Sequence, residues 1–213
     1  MKRVFGLFEV IFDYFYLIVA FLLGLYLLST STGNPTRLMA AVMAFVLVGG
    51  DAFHLLPRIK VILSKNEEKY RDALGVGKQI TSITMTVFYL ILWEIGQREL
   101  NMPLSYLSVV VYGLALIRMG LCLFPQNEWK KRYPSVKWAI ARNVPFFLLG
   151  CIISFWFYIN QNETLAWLWL AILLSFAFYL PVVLWANKNP KVGMMMFPKT
   201  IVYLWMLAIC LGL

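Results

Sequence analysis

Hydrophobic residues in this chain gather in blocks of about 20 and do not alternate with polar ones; blocks of that length match a bilayer's hydrocarbon core at helical rise. Seven such blocks predict seven membrane-spanning helices, over 8–29, 38–57, 80–97, 104–124, 144–160, 165–186 and 199–213, the last being the shortest. The polar stretches 58–79 and 125–143 read as connections, because neither resembles a folded unit of its own. The expected fold class is all-α, a polytopic membrane helix bundle forming one domain over 1–213. Met1-Lys2-Arg3 followed by an apolar run has the outline of a signal peptide. Glu9 and Asp13 interrupt that run, however, and Ser29-Thr30-Ser31-Thr32 offers no small-x-small cleavage pattern, so it reads as the first span.

Charge then orients the spans. The chain has 19 Lys and Arg residues, and most fall at one end of the seven-span arrangement: Lys2 and Arg3; Arg58, Lys60, Lys65, Lys69, Arg71 and Lys78; Lys130, Lys131, Arg132, Lys137 and Arg142; Lys188, Lys191 and Lys199. Only Arg37 and Arg98 fall at the other end, and Arg118 lies within the fourth span. The positive-inside rule predicts a cytoplasmic N-terminus and an outer C-terminus, in a multi-pass protein of the cell membrane. The formal net charge of +9 is carried by short loops beside helix ends, where anionic headgroups account for it. Membrane lipids are therefore the expected partners and nucleic acid is not; self-association is left open. Cys122, Cys151 and Cys210 occupy three different spans without C-x-x-C spacing and read as small buried residues. With a single histidine, no metal site is expected, and no cofactor is indicated.

Polar residues inside the spans share one depth. Asp51, Arg118 and Tyr179 each lie six or seven residues before the inner end of an even-numbered span, roughly 10 Å below the surface at 1.5 Å per residue. The odd spans agree, with Glu9 and Asp13, then Thr81, Ser82, Thr84 and Thr86, then Lys199, Thr200 and Tyr203 in their first turns. Outer halves are mostly aliphatic and aromatic, Glu94 being the main exception. Such a layer predicts a chamber open to the cytoplasmic side, not a through-pore. Pro57, Pro125 and Pro181 near the inner ends of the even spans would free carbonyls to line it.

An intramembrane carboxylate costs roughly 2.5–3.5 kcal/mol on insertion scales, which makes Asp51 the first functional candidate. His54, three residues on, shares its helix face, as does Arg58 four further. Asp51 would act as general acid or base with His54 shuttling protons or orienting substrate; the structural alternative is an Asp51–Arg118 ion pair joining spans two and four. Glu9 and Asp13, four apart, either complete a two-carboxylate site or are solvated. Thr84 is a candidate to face substrate, although hydroxyls in the Thr81–Thr86 run often bond only to their own helix. Trp167, Trp169 and Trp185 suit an interfacial belt, Asn162-Glu163-Thr164 fits a glycosylation sequon, and Gly75-Val76-Gly77 reads as a turn before span three.

The string Gly50-Asp51-Ala52-Phe53-His54-Leu55-Leu56-Pro57-Arg58, with the following Gly75, Ser82 and Tyr89 spacing, resembles the Gly-Asp helix and next helix of the lysoplasmalogenase-like membrane family. The resemblance covers about 45 residues and implies a multi-span protein that hydrolyses the vinyl-ether bond of lysoplasmalogens through intramembrane aspartates. Asp51 matches; the family's second, later aspartate does not, since the comparable stretch reads Leu174-Ser175-Phe176-Ala177-Phe178-Tyr179. Glu9 or Asp13 would have to replace it. On this reading Asp51, His54, Asp13 and Glu9 are catalytic, while Arg118, Tyr179, Lys199, Tyr203 and Thr84 bind substrate. A small-solute transporter or receptor-like protein binding at Asp51 and Arg118, and a non-catalytic scaffold, are the alternatives.

Overall fold

The computed structural model describes residues 2–100, 106–186 and 188–213, and every element among them is helical. The helices are α1 (Lys2–Ser29), α2 (Pro35–Ser64), α3 (Glu67–Glu99), α4 (Tyr106–Leu123), α5 (Val136–Ile159), α6 (Leu168–Trp185) and α7 (Met196–Ile209). Seven helical stretches among the described residues are long and apolar enough to cross a membrane, the seventh being Lys191–Gly212, in which 3-10 turns extend α7 at both ends. The first two residues of the predicted fourth span, 104 and 105, lie outside the described residues.

Local chemistry sets the turns. Gly33 supplies a left-handed φ of +78° after α1, and Asn34 caps α2 by accepting from the Arg37 amide at 3.0 Å, with Pro35 in the first turn. Arg37 then donates to Thr30 Oγ1 at 2.7 Å and to the Leu211 carbonyl at 3.0 Å, fastening this turn to the end of α7. At the opposite end, Lys65 takes a left-handed φ of 57° and Asn66 caps α3, so α2 and α3 are joined by two residues. That end carries Lys65, Lys69, Lys130 and Lys131 and is called the basic end below; the Gly33 end is the far end.

Two predicted connections are thus largely helical. Region 58–79 continues α2 to Ser64 and opens α3 at Glu67; region 125–143 holds a 3-10 turn at Pro125–Asn127 and the first two turns of α5. Hydropathy marks only the lipid-immersed part of a helix. At 1.5 Å per residue a helix as long as α3 spans about 50 Å against about 30 Å of hydrocarbon. Its 33 residues therefore run beyond the lipid, where charged positions cost nothing. Pro57 and Pro181 sit inside α2 and α6, whereas Pro125 follows the end of α4.

Consecutive helices pack side by side and α1 closes against α7. α3 is the hub, contributing Phe88, Tyr89, Leu92, Trp93 and Ile95 to the core, each fully buried. Gly75-Val76-Gly77 lies within α3 and not in a turn. A Cβ on Gly77 would run into the Phe53 carbonyl and the His54 backbone, and one on Gly50 into the Thr84 side chain. These glycines let the backbones of α2 and α3 approach closely, as small residues do between membrane helices. Cys122 and Cys210 are buried, but Cys151 is only half-buried.

Candidate functional site

The α1–α2 pairing is an antiparallel ladder with polar rungs. Arg58 donates to Glu9 at 2.7 Å, the Tyr16 hydroxyl donates to Asp51 Oδ2 at 2.7 Å, and Arg37 reaches Thr30 near the far end. Steps forward along α1 are matched by equal steps back along α2. Asp13 lies four residues after Glu9 and His54 four before Arg58, so the register brings Asp13 and His54 to the same level, between the Glu9–Arg58 and Tyr16–Asp51 rungs. Asp13 is 6% exposed, and its Oδ2 has no hydrogen-bond partner among the described residues; the same holds for His54 Nδ1. A buried polar atom without a partner costs about 1–3 kcal/mol, so two at one level of the α1–α2 pair mark a place where the fold leaves hydrogen-bonding capacity unused.

Arg118 lies elsewhere. Its guanidinium is 1% exposed, donates to Thr86 Oγ1 at 2.8 Å and to the Arg142 carbonyl and Asn143 Oδ1 at 3.0 Å, and stacks 3.6 Å from the Phe146 centroid. Tyr179 donates to the same Asn143 oxygen at 3.0 Å. Asp51 and Arg118 are therefore not the expected pair. Thr81 of α3 bonds the Gly50 carbonyl of α2 at 2.8 Å, while Ser82 and Thr86 of α3 bond Arg118, so Arg118 meets α3 away from the α2 contact and Asp51 pairs with Tyr16 of α1. Neutral dipoles and a ring face solvate Arg118, which is how a buried cation survives without a counter-charge.

Lys199 bridges the two clusters. Its ammonium lies 4.3 Å from the Tyr179 centroid and 5.1 Å from that of Tyr203, and Asp51 is within Coulombic range. Tyr203 also packs edge-on against Phe88 at 5.7 Å. Thr84 bonds to the Ile80 carbonyl of its own helix at 3.1 Å. Sequence reading missed Tyr16 and Asn143. Tyr16 follows Asp13 by three residues on one helix face, a signal open to inspection, whereas Asn143 was assigned to a connection.

Packing differs along the bundle. Residues 78–84 of α3 are partly accessible on every face, as are Asp51, His54 and residues 178–183 of α6, whereas Leu92, Trp93, Ile95, Leu168, Ala171 and Ile172 are sealed. The polar groups therefore lie in the more accessible, basic half, and the core of the far half is tightly packed. No clustering of His, Cys, Asp and Glu suited to a metal occurs among the described residues. Comparisons with family models, curated proteins and solved structures give no match, so the functional reading rests on this arrangement alone.

Proposed function

We propose that this protein is an intramembrane hydrolase of ether lysolipids, working from the cytoplasmic leaflet of the cell membrane. The observation that carries the reading is the Asp13, Tyr16, Asp51 and His54 group, in which two carboxylates and an imidazole share adjacent turns while Asp13 Oδ2 and His54 Nδ1 stay unpartnered. Vinyl-ether cleavage needs that equipment. Asp13 donates a proton to the alkene carbon remote from oxygen, producing an oxocarbenium ion. Asp51, its carboxylate held by the Tyr16 hydroxyl, takes a proton from water as the water oxygen adds to the cation. The hemiacetal then breaks its bond to the glycerol oxygen, which takes up the proton, releasing a fatty aldehyde and the glycerol alcohol; His54 carries protons between the carboxyls. The rung of Glu9 and Arg58 stands at the basic-end mouth of the group. Solute passage across the membrane is opposed by the sealed far half, which favours one-sided chemistry over transport.

Turnover of a lysolipid panel containing vinyl-ether species tests the reading. Purified protein should release aldehyde, and in heavy water the aldehyde should carry deuterium on its second carbon. Asp51→Asn and Asp13→Asn should each lower the rate by about 10²-fold or more, in the range of general acid–base effects. No turnover by the unaltered protein, or unchanged turnover in both variants, sinks the hydrolase.

A further inference from the structure

A cleft of about 560 Å³ opens at the basic end, between α3 and the connection that follows α4, and it shares no residue with the Asp13, Tyr16, Asp51 and His54 group. The connection is braced from behind by its own side chains. Asn127 is fully buried, donates to the Leu121 and Phe124 carbonyls at 2.7 and 2.8 Å, and accepts from Arg142 at 2.8 Å. Trp129 and Gln79 both donate to the Cys122 carbonyl at 3.1 Å, and the Arg142 guanidinium stacks 4.2 Å from the Trp129 ring centroid. The carbonyls left open at the end of α4 are thereby satisfied, and the backbone turns at Glu128 through a left-handed φ of 53°. These contacts shape the cleft in advance of any ligand, as binding sites for small molecules usually are.

The cleft has an apolar side and a charged side. Val76, Leu123, Phe124 and Pro125 form the first, and Glu128, Lys130 and Lys131 form the second. Leu123 ends α4 and continues the helix face that carries Leu116 and Val109, seven and fourteen residues earlier; all three are 66–67% exposed. That is a face α4 offers to lipid, so the apolar side of the cleft runs on into the membrane. Gly120 and Gly113 alternate with these residues, and nothing packs against either of them. On the charged side, Lys130 donates to Asp72 at 3.0 Å and Lys131 to Glu128 at 2.7 Å, one bond from an ammonium that has three donors. Both pairs are solvent-exposed, and such pairs contribute about 0–1 kcal/mol, so an incoming anion can share the two ammonium groups at small cost.

We propose that this cleft binds an anionic diacyl phospholipid of the leaflet at the basic end, held there as a resident lipid and not as a substrate. Basic pockets between membrane helices capture such headgroups. A soluble anion would gain nothing from Val76, Leu123 and Phe124, and an uncharged lipid would gain nothing from the lysines; an anionic amphiphile uses both sides. Its phosphate meets Lys130 and Lys131, and one chain lies along Leu123, Leu116 and Val109, where Gly120 and Gly113 leave a furrow. The lipid ties α3 to the α4–α5 connection, and through Trp129 and Arg142 it supports the Arg142 carbonyl that accepts from Arg118.

Thermal unfolding of the full chain in maltoside detergent tests the site, with dioleoylphosphatidylglycerol and dioleoylphosphatidylcholine as separate probes. Saturating phosphatidylglycerol should raise the melting temperature by about 5 °C or more, and phosphatidylcholine by clearly less. Lys130→Gln combined with Lys131→Gln should remove the difference, and so should Val76→Trp, which fills the cleft and alters no charge. Lys60→Gln combined with Lys65→Gln takes the same charge from the end of α2 and should leave the difference in place. Equal effects of the two lipids on the parent protein overturn the proposal, as does a difference that survives either cleft variant. A loss as large in the Lys60 and Lys65 variant also overturns it, since diffuse charge then suffices. Glycerol phosphate, which has no chains, is the last probe: no stabilisation supports the lipid, and stabilisation equal to that by phosphatidylglycerol overturns it in favour of a soluble phosphate. Should Val76→Trp fail to fold, the lysine pair against its α2 control still decides. Because no reaction is read, the result is independent of whether the chain hydrolyses ether lipids.

Discussion

The basic half and the far half of the bundle are made from the same seven helices, yet they solve different problems. In the far half, Trp93 and Trp156 meet at 5.0 Å between ring centroids, Gly96 admits the Phe157 ring, and Leu92, Ile95 and Leu168 are fully buried. Within lipid there is no water to drive such association, so contact density supplies the stability. In the basic half, glycines and hydroxyls bring α2 and α3 together, and Asp13, Asp51, His54 and Lys199 prevent close apolar packing. Tight apolar packing is concentrated in the far half, and the buried polar groups are concentrated in the basic half.

That contrast has consequences that can be measured. The largest effect should come from truncation in the far half: Leu92→Ala should cost about 2–5 kcal/mol, because the surrounding rings cannot collapse into the void. Leu55→Ala in the basic half, where the side chain is only partly buried, should cost clearly less in the same thermal unfolding measurement. Equal losses would dissolve the distinction between the halves.

Removing Arg118 should come next. Arg118→Leu removes the hydrogen bonds to Thr86 Oγ1, the Arg142 carbonyl and Asn143 Oδ1, the last of which keeps the Tyr179 hydroxyl, at about 1–3 kcal/mol for each acceptor left unsatisfied. Because Asp51 has different partners, combining this change with Asp51→Asn should give losses that add to within about 0.5 kcal/mol. A double variant more stable than the sum would restore the ion pair that the residue contacts replace.

A smaller loss, about 1.5–3 kcal/mol, is expected for Tyr16→Phe, which leaves Asp51 without its hydroxyl donor. Turnover should fall with it, since Asp51 loses its orientation. Stability unchanged within error would mean that the Tyr16–Asp51 rung carries no weight. Least disruptive is the test of orientation: cysteines placed at Lys65 and Lys131, both at the basic end, should resist an impermeant thiol reagent in intact cells and react after lysis. Labelling without lysis would put the open half on the outer side.

Much of the architecture was legible in the residues alone. Block length determined seven helices, since about 20 apolar residues in lipid have one way to satisfy their backbone groups. Charge patterning determined which ends carry the basic residues. Helix limits were not legible, because helices such as α3 extend past the lipid into water, where hydropathy is silent and caps such as Asn66 and Ser135 decide. The depth of the polar layer followed from counting residues, and Arg118 and Tyr179 do share an acceptor there.

Pairing within that layer is what tertiary structure alone decided. Counting along spans gives depth but not rotation about the helix axis, and two residues at one depth can face opposite sides of a bundle. Gly50 and Gly77 fix how α2 meets α3, which turns Asp51 toward Tyr16 on α1 and leaves Arg118 to Thr86, Asn143 and Phe146. The same packing leaves Asp13 Oδ2 and His54 Nδ1 without hydrogen-bond partners among the described residues and sets the Lys199 ammonium beside the Tyr179 and Tyr203 rings. The sequence determined that charges would be buried in this half of the bundle; close backbone contacts, which have no signature beyond a glycine, decided which of them find hydrogen-bond partners and which do not.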